Sequence, residues 1–346
     1  MRVFVAGGTG AIGRPLLERL RAEGHEATVM TRSTERAAEL RARGLDAVVA
    51  DAFDAEAVHA AVAAARPEVV VHQLTAIPAK VGGRRYAEQL APTNRLRRET
   101  IGTFAAAARD AGARRLVAQS VSFLLRPEGG WVKDETAPLF VDAPEPMRDA
   151  VRALEVLEGT TIGTPGLEGV VLRYGLFYGP GTSIAPDGHF AAEARRRRMP
   201  VVGDGAGRAS FVHVDDAAAA TVLALDRGAP GVYHVTDDEP VPARDWIPAM
   251  AAALGAPRPM RVPLWLGRLV GGPLADALVS ARGASNAKAR AELGFRPRYP
   301  TYREGFAAVL GASAAAGSGS AAAGSSAAAE SSAAAGSSTA PSSGGA

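Results

Sequence analysis

A glycine-rich turn near the start of the chain constrains the fold more than any other stretch. Residues 3–13 read V-F-V-A-G-G-T-G-A-I-G, so a short apolar run typical of a buried strand leads directly into glycines. Residues 14–20 follow with helical spacing of apolar positions. Glycines at such a turn allow a tight bend and let a pyrophosphate approach N–H groups at the positive end of the helix. The stretch predicts a dinucleotide-binding turn, made of Gly7, Gly8, Thr9, Gly10, Ala11, Ile12 and Gly13.

Strand and helix patterns alternate through the first half of the chain. Strands are predicted at residues 3–6, 25–31, 47–50, 68–72, 115–119 and 169–173, and helices at 14–20, 34–43, 54–65, 92–111 and 145–158. This alternation is typical of an α/β fold, a Rossmann-type doubly wound parallel sheet, with a smaller C-terminal substrate lobe.

The domain prediction follows from these patterns. Residues 1–180 are predicted to form the dinucleotide-binding domain, to which 206–235 return. Residues 181–205 and 236–311 are predicted to form the substrate lobe and lid, with helices at 243–254, 264–281 and 302–310. The returning segment is predicted to contain a helix at 215–226 and a short strand at 231–235. Residues 312–346 are almost entirely Ala, Ser and Gly, which predicts a disordered tail because such a segment has little to bury.

Composition excludes several function classes. The formal charge of +3 over 346 residues gives no reason to expect nucleic acid. The absence of cysteine excludes disulfides, thiolate metal sites and a cysteine nucleophile, and no metal site is predicted. With no signal peptide and no membrane-spanning apolar run, we expect a cytoplasmic monomer or homodimer that acts on a small molecule.

The end of the second strand indicates which dinucleotide binds. A ribose 2′-hydroxyl is usually held by a carboxylate at this position, whereas a 2′-phosphate calls for arginine. Here Arg32 and Ser33 follow the strand, Arg36 lies one turn on, and no carboxylate occurs between the end of the strand and Glu35. The sequence therefore predicts NADP(H). Further cofactor contacts are predicted after the other strands and in the long helix, at Asp51, Ala52, Leu74, Thr75, Asn94, Tyr174, Gly175, Leu176 and Phe177.

These motifs resemble the extended branch of the short-chain dehydrogenase/reductases. The resemblance rests on the glycine turn, Asp51, Asn94, the R-Y-G-L-F-Y-G-P run at residues 173–180 and F-V-H-V-D-D at 211–216, and it covers about residues 1–310. It implies a Rossmann domain with a substrate lobe near the carboxyl terminus. It also implies a catalytic tyrosine, a lysine four residues later, and a serine or threonine after the fifth strand.

The expected tyrosine and lysine are missing. With Glu155 aligned to the family's glutamate, Met147 stands where the tyrosine belongs and Val151 where the lysine belongs, and residues 141–158 contain neither residue type. The lysine normally lowers the pKa of the tyrosine so that the phenol can exchange a proton with the substrate oxygen. Ser120 and Ser122 remain as predicted hydrogen-bond donors to that oxygen.

Three functions remain open from the sequence. The first is an atypical ketoreductase that uses NADPH to reduce a ketone on a bulky aromatic polyketide-type product. It is similar to actinomycete ketoreductases that tailor aromatic polyketide antibiotics, and the cofactor carries the difficult chemistry. The second is a nucleotide-sugar epimerase or dehydratase, which is disfavoured because oxidation of a sugar hydroxyl needs a base. The third is an NADP(H)-binding regulator without turnover.

Two segments are predicted to form the substrate side. Residues 179–200 are predicted to cover the crevice as a lid that excludes water. Residues 264–266 and 269–272 are apolar enough to line a wide pocket or to form the core of the lobe, and the core is the default interpretation. Tyr178 is expected to pack in its turn rather than to act in catalysis.

Overall fold

Seven parallel strands form the main sheet in the part of the chain that the structure describes. The structure is a computed structural model, and it describes residues 1–78, 80, 85–145 and 147–311. The predicted tail at 312–346 lies outside the described residues. The strands are β1 (Arg2–Ala6), β2 (Glu26–Thr31), β3 (Asp46–Val49), β4 (Val69–His72), β5 (Arg115–Val121), β6 (Glu168–Tyr174) and β7 (Gly231–Val235).

The strand order is β7-β6-β5-β4-β1-β2-β3, and every pairing is parallel. The order reverses between β1 and β4, where Val3 pairs with both Ala27 and Val69. Ligands of open α/β sheets bind at the carboxyl ends of the strands beside such a reversal. The predicted Rossmann-type fold is confirmed, and Gly231–Val235 extends the six predicted strands to seven.

Helices cover both faces of the sheet and form much of the remaining described chain. They are α1 (Gly13–Ala22), α2 (Thr34–Ala42), α3 (Ala55–Ala65), α4 (Tyr86–Asp110), α5 (Arg148–Gly163), α6 (His189–Arg195), α7 (Val214–Leu223), α8 (Ala243–Ala253), α9 (Leu264–Gly271), α10 (Pro273–Ser280) and α11 (Tyr302–Phe306), with π-helical turns at Ala289–Leu293 and Ala307–Gly311. No helix among the described residues is long and apolar enough to span a bilayer.

Short two-stranded ribbons connect the later segments. Their strands are Val132–Lys133 with Gly283–Ala284, Leu176–Tyr178 with Phe211–His213, Val201–Val202 with Arg261–Val262, and Arg208–Ala209 with Val241–Pro242.

Alternation along the strands divides the core into two layers. Val3, Val5 and Val69 pack toward α1 and α7, whereas Phe4 and Val70 pack toward α3, α4 and α5. A third apolar cluster joins α6, α8 and α11 around Phe211 and Phe306. The sheet is therefore buried on both faces, and its strands read as nearly continuous apolar runs in the sequence.

Several element bounds differ from the prediction. Helix α4 begins at Tyr86 rather than at residue 92, so Pro92 lies inside the helix. Helix α5 begins at Arg148 and continues past Gly159 to Gly163. The predicted helix at 264–281 is two helices that meet at Gly272, whose φ of 58° breaks the helical path.

Candidate active site

The glycine turn is closed by steric contacts that leave no room for a side chain at three of its glycines. A Cβ on Gly7, whose φ is +97°, would lie 2.5 Å from the Gln73 carbonyl oxygen, and one on Gly13 would lie 2.4 Å from the carbonyl carbon of Gly8. A Cβ on Gly8 would lie 2.7 Å from the side chain of Val29. A Cβ on Gly10 would meet only the Gly7 oxygen at 3.5 Å, an ordinary contact. Gly10 therefore faces open space, as close approach of a pyrophosphate requires.

The turn offers free donors at the start of α1. Gly10 N–H donates to Gly7 O and Arg14 N–H donates to Gly10 O, whereas the N–H groups of Ala11 and Ile12 donate to no described residue. The first turn of α1 carries no acidic residue and no side-chain cap. Unpaired N–H groups at the positive end of a helix fit a pyrophosphate.

The residues predicted to select the dinucleotide lie at the start of α2. The guanidinium groups of Arg32 and Arg36 are exposed and make no hydrogen bond or ion pair with any described residue. The Ser33 side chain caps α2 by accepting from Arg36 N–H at 3.2 Å, as its position predicts. Its hydroxyl also donates to Glu35 Oε2 at 2.6 Å, which lowers the pKa of Glu35. Two free cations and one carboxylate therefore surround this position.

The other cofactor positions follow β3 and β4. Asp51 is exposed, and its Oδ1 accepts from Phe53 N–H at 3.0 Å, while Ala52 is buried. Leu74 and Thr75 are half-buried directly after Gln73. The Gln73 side chain was not predicted for the site, and its buried Oε1 has no hydrogen-bond partner among the described residues. A residue directly after a central strand is the sequence signal that could have identified it.

Asn94 lies at the interface between α4 and α5. Its Nδ2 donates to Asp149 Oδ2 at 2.8 Å, and Arg98 donates to Asp149 Oδ1 at 2.5 Å. The Oδ1 atom of Asn94 is buried without a partner among the described residues. Asn94 therefore ties α4 to the first turn of α5 and retains one free acceptor.

The residues predicted to contact the cofactor at the end of β6 differ in burial. The Tyr174 ring is fully buried, and its hydroxyl pairs with Thr221 Oγ1 at 2.7 Å and accepts from Gln73 Nε2 at 3.2 Å. The structure thus places the Tyr174 ring in the core, and only its backbone remains near the sheet edge. Gly175 is crowded by the Ser210 carbonyl, and Leu176 and Phe177 are half-buried.

The two predicted serines differ in their surroundings. Ser120 is fully buried, and its hydroxyl donates to Glu158 Oε1 at 2.5 Å, so it is committed to the interior. The Ser122 side chain makes no hydrogen bond with a described residue, and its oxygen is not among the fully enclosed atoms. Of the two, only Ser122 can donate to a substrate oxygen without breaking an internal bond.

The two positions that the sequence aligns with the family's tyrosine and lysine lie in an apolar cluster. Met147 and Val151 pack with Val121 and Leu154, and the exposed fractions of Met147 and Val151 are 7% and 0%. The half-buried apolar side chains that border this cluster include Tyr86. Hydrocarbon and thioether groups thus replace the acid and the cation at the start of α5.

The segment after Tyr178 approaches the glycine turn. Tyr178 is fully buried and packs edge-on against His213 and Phe306, which agrees with the expected packing role. A Cβ on Gly181 would lie 3.7 Å from the Cβ of Ala11, so this segment runs beside the cofactor turn. The lid itself stays a prediction.

The default interpretation of residues 264–272 as lobe core is wrong. Helix α9 contains no buried residue, and Trp265, Leu269 and Val270 are each about two-thirds exposed at 66%, 66% and 69%. Leu274 and Ala277 on α10 pack against the cluster that contains Met147 and Val151. Because an amphipathic sequence pattern does not tell which face is covered, the sequence could not reveal that these side chains remain open.

The parallel sheet and the glycine turn define a dinucleotide-binding protein of the Rossmann type. Residues 3–236 match the NAD dependent epimerase/dehydratase family, and the chain belongs to this family. The resemblance to the extended short-chain dehydrogenase/reductases is thereby confirmed.

Two relatives and one solved structure place the chain within this family. It is 50% identical to a 3-diazoavenalumate denitrifying reductase from Streptomyces sp. over 307 residues, which cover 88% of this chain and 99% of the relative. It is 30% identical to a 2-alkyl-3-oxoalkanoate reductase from Stenotrophomonas maltophilia, over 91% of this chain and all of the relative. The UDP-glucose 4-epimerase of Thermus thermophilus in complex with NAD is similar at a TM-score of 0.66 and 27% identity, over 90% of this chain and 98% of the epimerase. The chain is therefore a nicotinamide-dependent reductase.

Proposed function

We propose that this protein is an NADP(H)-dependent reductase of a small aromatic molecule and that it works without an acidic side chain on α5. The observation that carries the proposal is the apolar cluster at Met147 and Val151, where the family's proton donor and its cation would otherwise stand. Such a site suits a reaction that needs hydride and no proton from the protein. When bound, the nicotinamide supplies that hydride.

The choice of NADP(H) is supported by charge. Arg32 and Arg36 have no carboxylate partner among the described residues, and a planar guanidinium can bind a 2′-phosphate with two hydrogen bonds. Glu35 opposes this choice, because its carboxylate occupies the hydroxyl of Ser33. Two cations without a partner among the described residues, against one carboxylate, favour the phosphorylated cofactor.

The first candidate reaction is the reductive removal of a diazo group. In this reaction hydride replaces N₂ on carbon: R–N₂⁺ and NADPH give R–H, N₂ and NADP⁺, with no proton consumed. The balance therefore requires no tyrosine and no lysine. The relative at 50% identity is named for a denitrifying reduction of a diazo compound, which supports this substrate class.

The second candidate is the reduction of an aromatic ketone of the polyketide type, as the sequence predicts. The relative at 30% identity is named for the reduction of a 3-oxo compound. Here the alkoxide needs a proton, which solvent or a phenol of the substrate would supply, and Ser122 would donate a hydrogen bond to its oxygen. The apolar cluster favours this candidate less, because it places no acid beside the oxygen.

The epimerase and regulator alternatives have weaker support. Oxidation of a sugar hydroxyl needs a base that Met147 and Val151 do not provide. The relatives named above are reductases, which favours turnover over a purely regulatory role.

Two assays with one preparation test the proposal. The purified protein is mixed with NADPH or NADH and with either an ortho-diazo phenol or an aromatic hydroxyketone. We expect loss of nicotinamide absorbance with NADPH, headspace N₂ from the diazo compound, and deuterium on the product carbon when the cofactor carries a 4-deuterium label. Alcohol formation without N₂ would select the ketone, and tight NADPH binding without consumption of either compound would overturn the proposed activity.

A further inference from the structure

Helix α4 carries a buried arginine that no described residue pairs with. Arg97 is 4% exposed, and its guanidinium makes no hydrogen bond and no ion pair with any described residue. Its Nε atom is completely enclosed without a partner, whereas its two terminal nitrogens are not. The side chain therefore reaches from the interior toward accessible space.

The carboxylate that acts electrostatically on Arg97 belongs to Glu158, and it is already paired with another arginine. Glu158 accepts from Arg173 at 2.9 and 2.6 Å through its two oxygens, and Oε1 also accepts from Ser120. Burial lowers the pKa of His72, the other titratable neighbour from the sheet, to about 4, so His72 is neutral at pH 7. One positive charge thus remains uncompensated in this region.

Burial also lowers the pKa of Arg97 itself, to about 10, so the guanidinium is still charged at neutral pH. Enclosing an unpaired charge is strongly unfavourable, because the group loses its hydration and gains no partner in exchange. A fold that retains such a group without an internal partner is consistent with compensation by a ligand.

Arg97 lies at the edge of the sheet where the active site is predicted. Thr100 fixes α4 against the last residue of β4 through a 3.0 Å hydrogen bond to His72, and Arg97 lies one turn closer to the start of α4, at the carboxyl edge of the sheet. Tyr86, which borders the Met147 and Val151 cluster, interacts electrostatically with Arg97. The buried and unpaired Oδ1 of Asn94 lies a further turn along the same helix.

We propose that Arg97 binds a phenolate-type oxygen of the substrate, conjugated with the carbon that accepts hydride. This inference rests on the proposed function and adds the class of substrate. The guanidinium keeps its proton and supplies, from α4, the positive charge that a lysine on α5 supplies elsewhere in the family. A bound phenolate would satisfy both the free nitrogens of Arg97 and the charge balance of the crevice.

The first test uses stability. Arg97→Met keeps a similar length and removes the charge, and Arg98→Met, which removes the Arg98–Asp149 pair next along the helix, is the matched control. We expect the melting temperature of the cofactor-free protein to rise by about 2–5 °C in Arg97→Met. Arg98→Met should leave it unchanged or lower it. A lower melting temperature for Arg97→Met would show that the arginine holds the fold together, and it would overturn the proposal.

The second test uses 4-nitrophenol as a probe whose ionisation is visible in its absorbance. On the NADP⁺-loaded wild-type protein we expect the apparent pKa of the bound probe to fall by about one unit or more, because an adjacent cation favours the phenolate. The shift should disappear in Arg97→Met and persist in Arg98→Met. Uncharged 4-nitroanisole should bind both variants alike. An unchanged probe pKa in wild type, or an equal shift in Arg97→Met, would refute the assignment.

If the wild-type protein has the proposed activity, kcat/KM provides a third test. Arg97→Ala should lower kcat/KM by about 100-fold without changing NADPH affinity, and added methylguanidinium should restore part of it. Because the stability and probe experiments need no turnover, an inactive wild-type protein would refute the proposed activity while those two experiments still decide the role of Arg97.

Discussion

The glycine turn and the start of α5 both lie at the carboxyl edge of the sheet, yet their residues are fixed by different forces. At the turn, Gly7 and Gly13 are held by backbone contacts that exclude any Cβ. At α5, Met147 and Val151 are held by packing among apolar side chains. The first arrangement serves any nicotinamide enzyme, whereas the second depends on what the substrate needs. The comparison supports the proposal that the cofactor half keeps the residues expected of the family, whereas the half expected to transfer a proton does not.

The largest effect is expected when a lysine is placed in the apolar cluster at the start of α5. Val151→Lys places an ammonium where the exposed fraction is 0%, and we expect the free energy of unfolding to fall by about 3–4 kcal/mol. Val156→Lys, on an exposed position of the same helix, should stay within about 0.5 kcal/mol of wild type. Urea denaturation followed by circular dichroism measures both.

The double variant Met147→Tyr with Val151→Lys extends this experiment to turnover. We expect activity similar to wild type or lower, because the added side chains crowd the site. A large gain in kcat would contradict the proposal that the reaction needs no acid from α5.

Two glycine variants separate the effect of the turn on stability from its effect on cofactor binding. Gly13→Ala should lower the free energy of unfolding by about 1–3 kcal/mol, because its Cβ would lie 2.4 Å from the carbonyl carbon of Gly8. Gly10→Ala meets only an ordinary contact, so it should fold normally and weaken NADPH binding alone. Thermal unfolding and fluorescence titration with NADPH distinguish the two. Equal effects on stability would mean that the turn is not shaped as described.

The proposed preference for NADP(H) depends on charge at the start of α2. Arg32→Ala should raise the dissociation constant for NADPH by about 10–100-fold and leave that for NADH unchanged, because a charge-assisted hydrogen bond contributes about 1.5–3 kcal/mol. Glu35→Gln should tighten NADPH binding a few-fold by releasing Ser33. Isothermal titration with both cofactors provides the measurement, and parallel losses for NADPH and NADH would argue against a 2′-phosphate contact.

The two serines distinguish a structural role from a substrate contact. Ser120→Ala should lower the free energy of unfolding by about 1.5–3 kcal/mol, because it removes a hydrogen bond to the charged Glu158, and it should spare kcat/KM. Ser122→Ala should leave stability unchanged and lower kcat/KM about tenfold, because its hydroxyl has no partner among the described residues. The reverse pattern would assign the substrate contact to Ser120.

Local signals in the sequence explain what could be predicted. The glycine turn, the alternation of the sheet and the Ser33 cap each depend on residues a few positions apart, and the structure has all three. The start of α4 was missed because Pro92 normally marks a helix start, whereas here it lies in the interior of α4.

Long-range contacts explain what could not be predicted. The bond between Ser120 and Glu158 spans 38 positions, and nothing in either segment indicates it. Arg97 was overlooked although it shares the buried face of α4 with Asn94, Ile101 and Phe104 at helical spacing. An arginine in such a stripe is a signal that periodicity alone could have provided. The openness of α9 depends on what the helix packs against, which no single-sequence pattern contains.

The contact between Gly181 and Ala11 has a kinetic consequence. This segment lies beside the dinucleotide turn and continues toward the predicted substrate side, so we expect bound substrate to retain the cofactor: the reductant enters first and its oxidised form departs last. Initial-rate patterns should then be those of a compulsory sequence, in which NADP⁺ competes with NADPH and the reduced organic product does not.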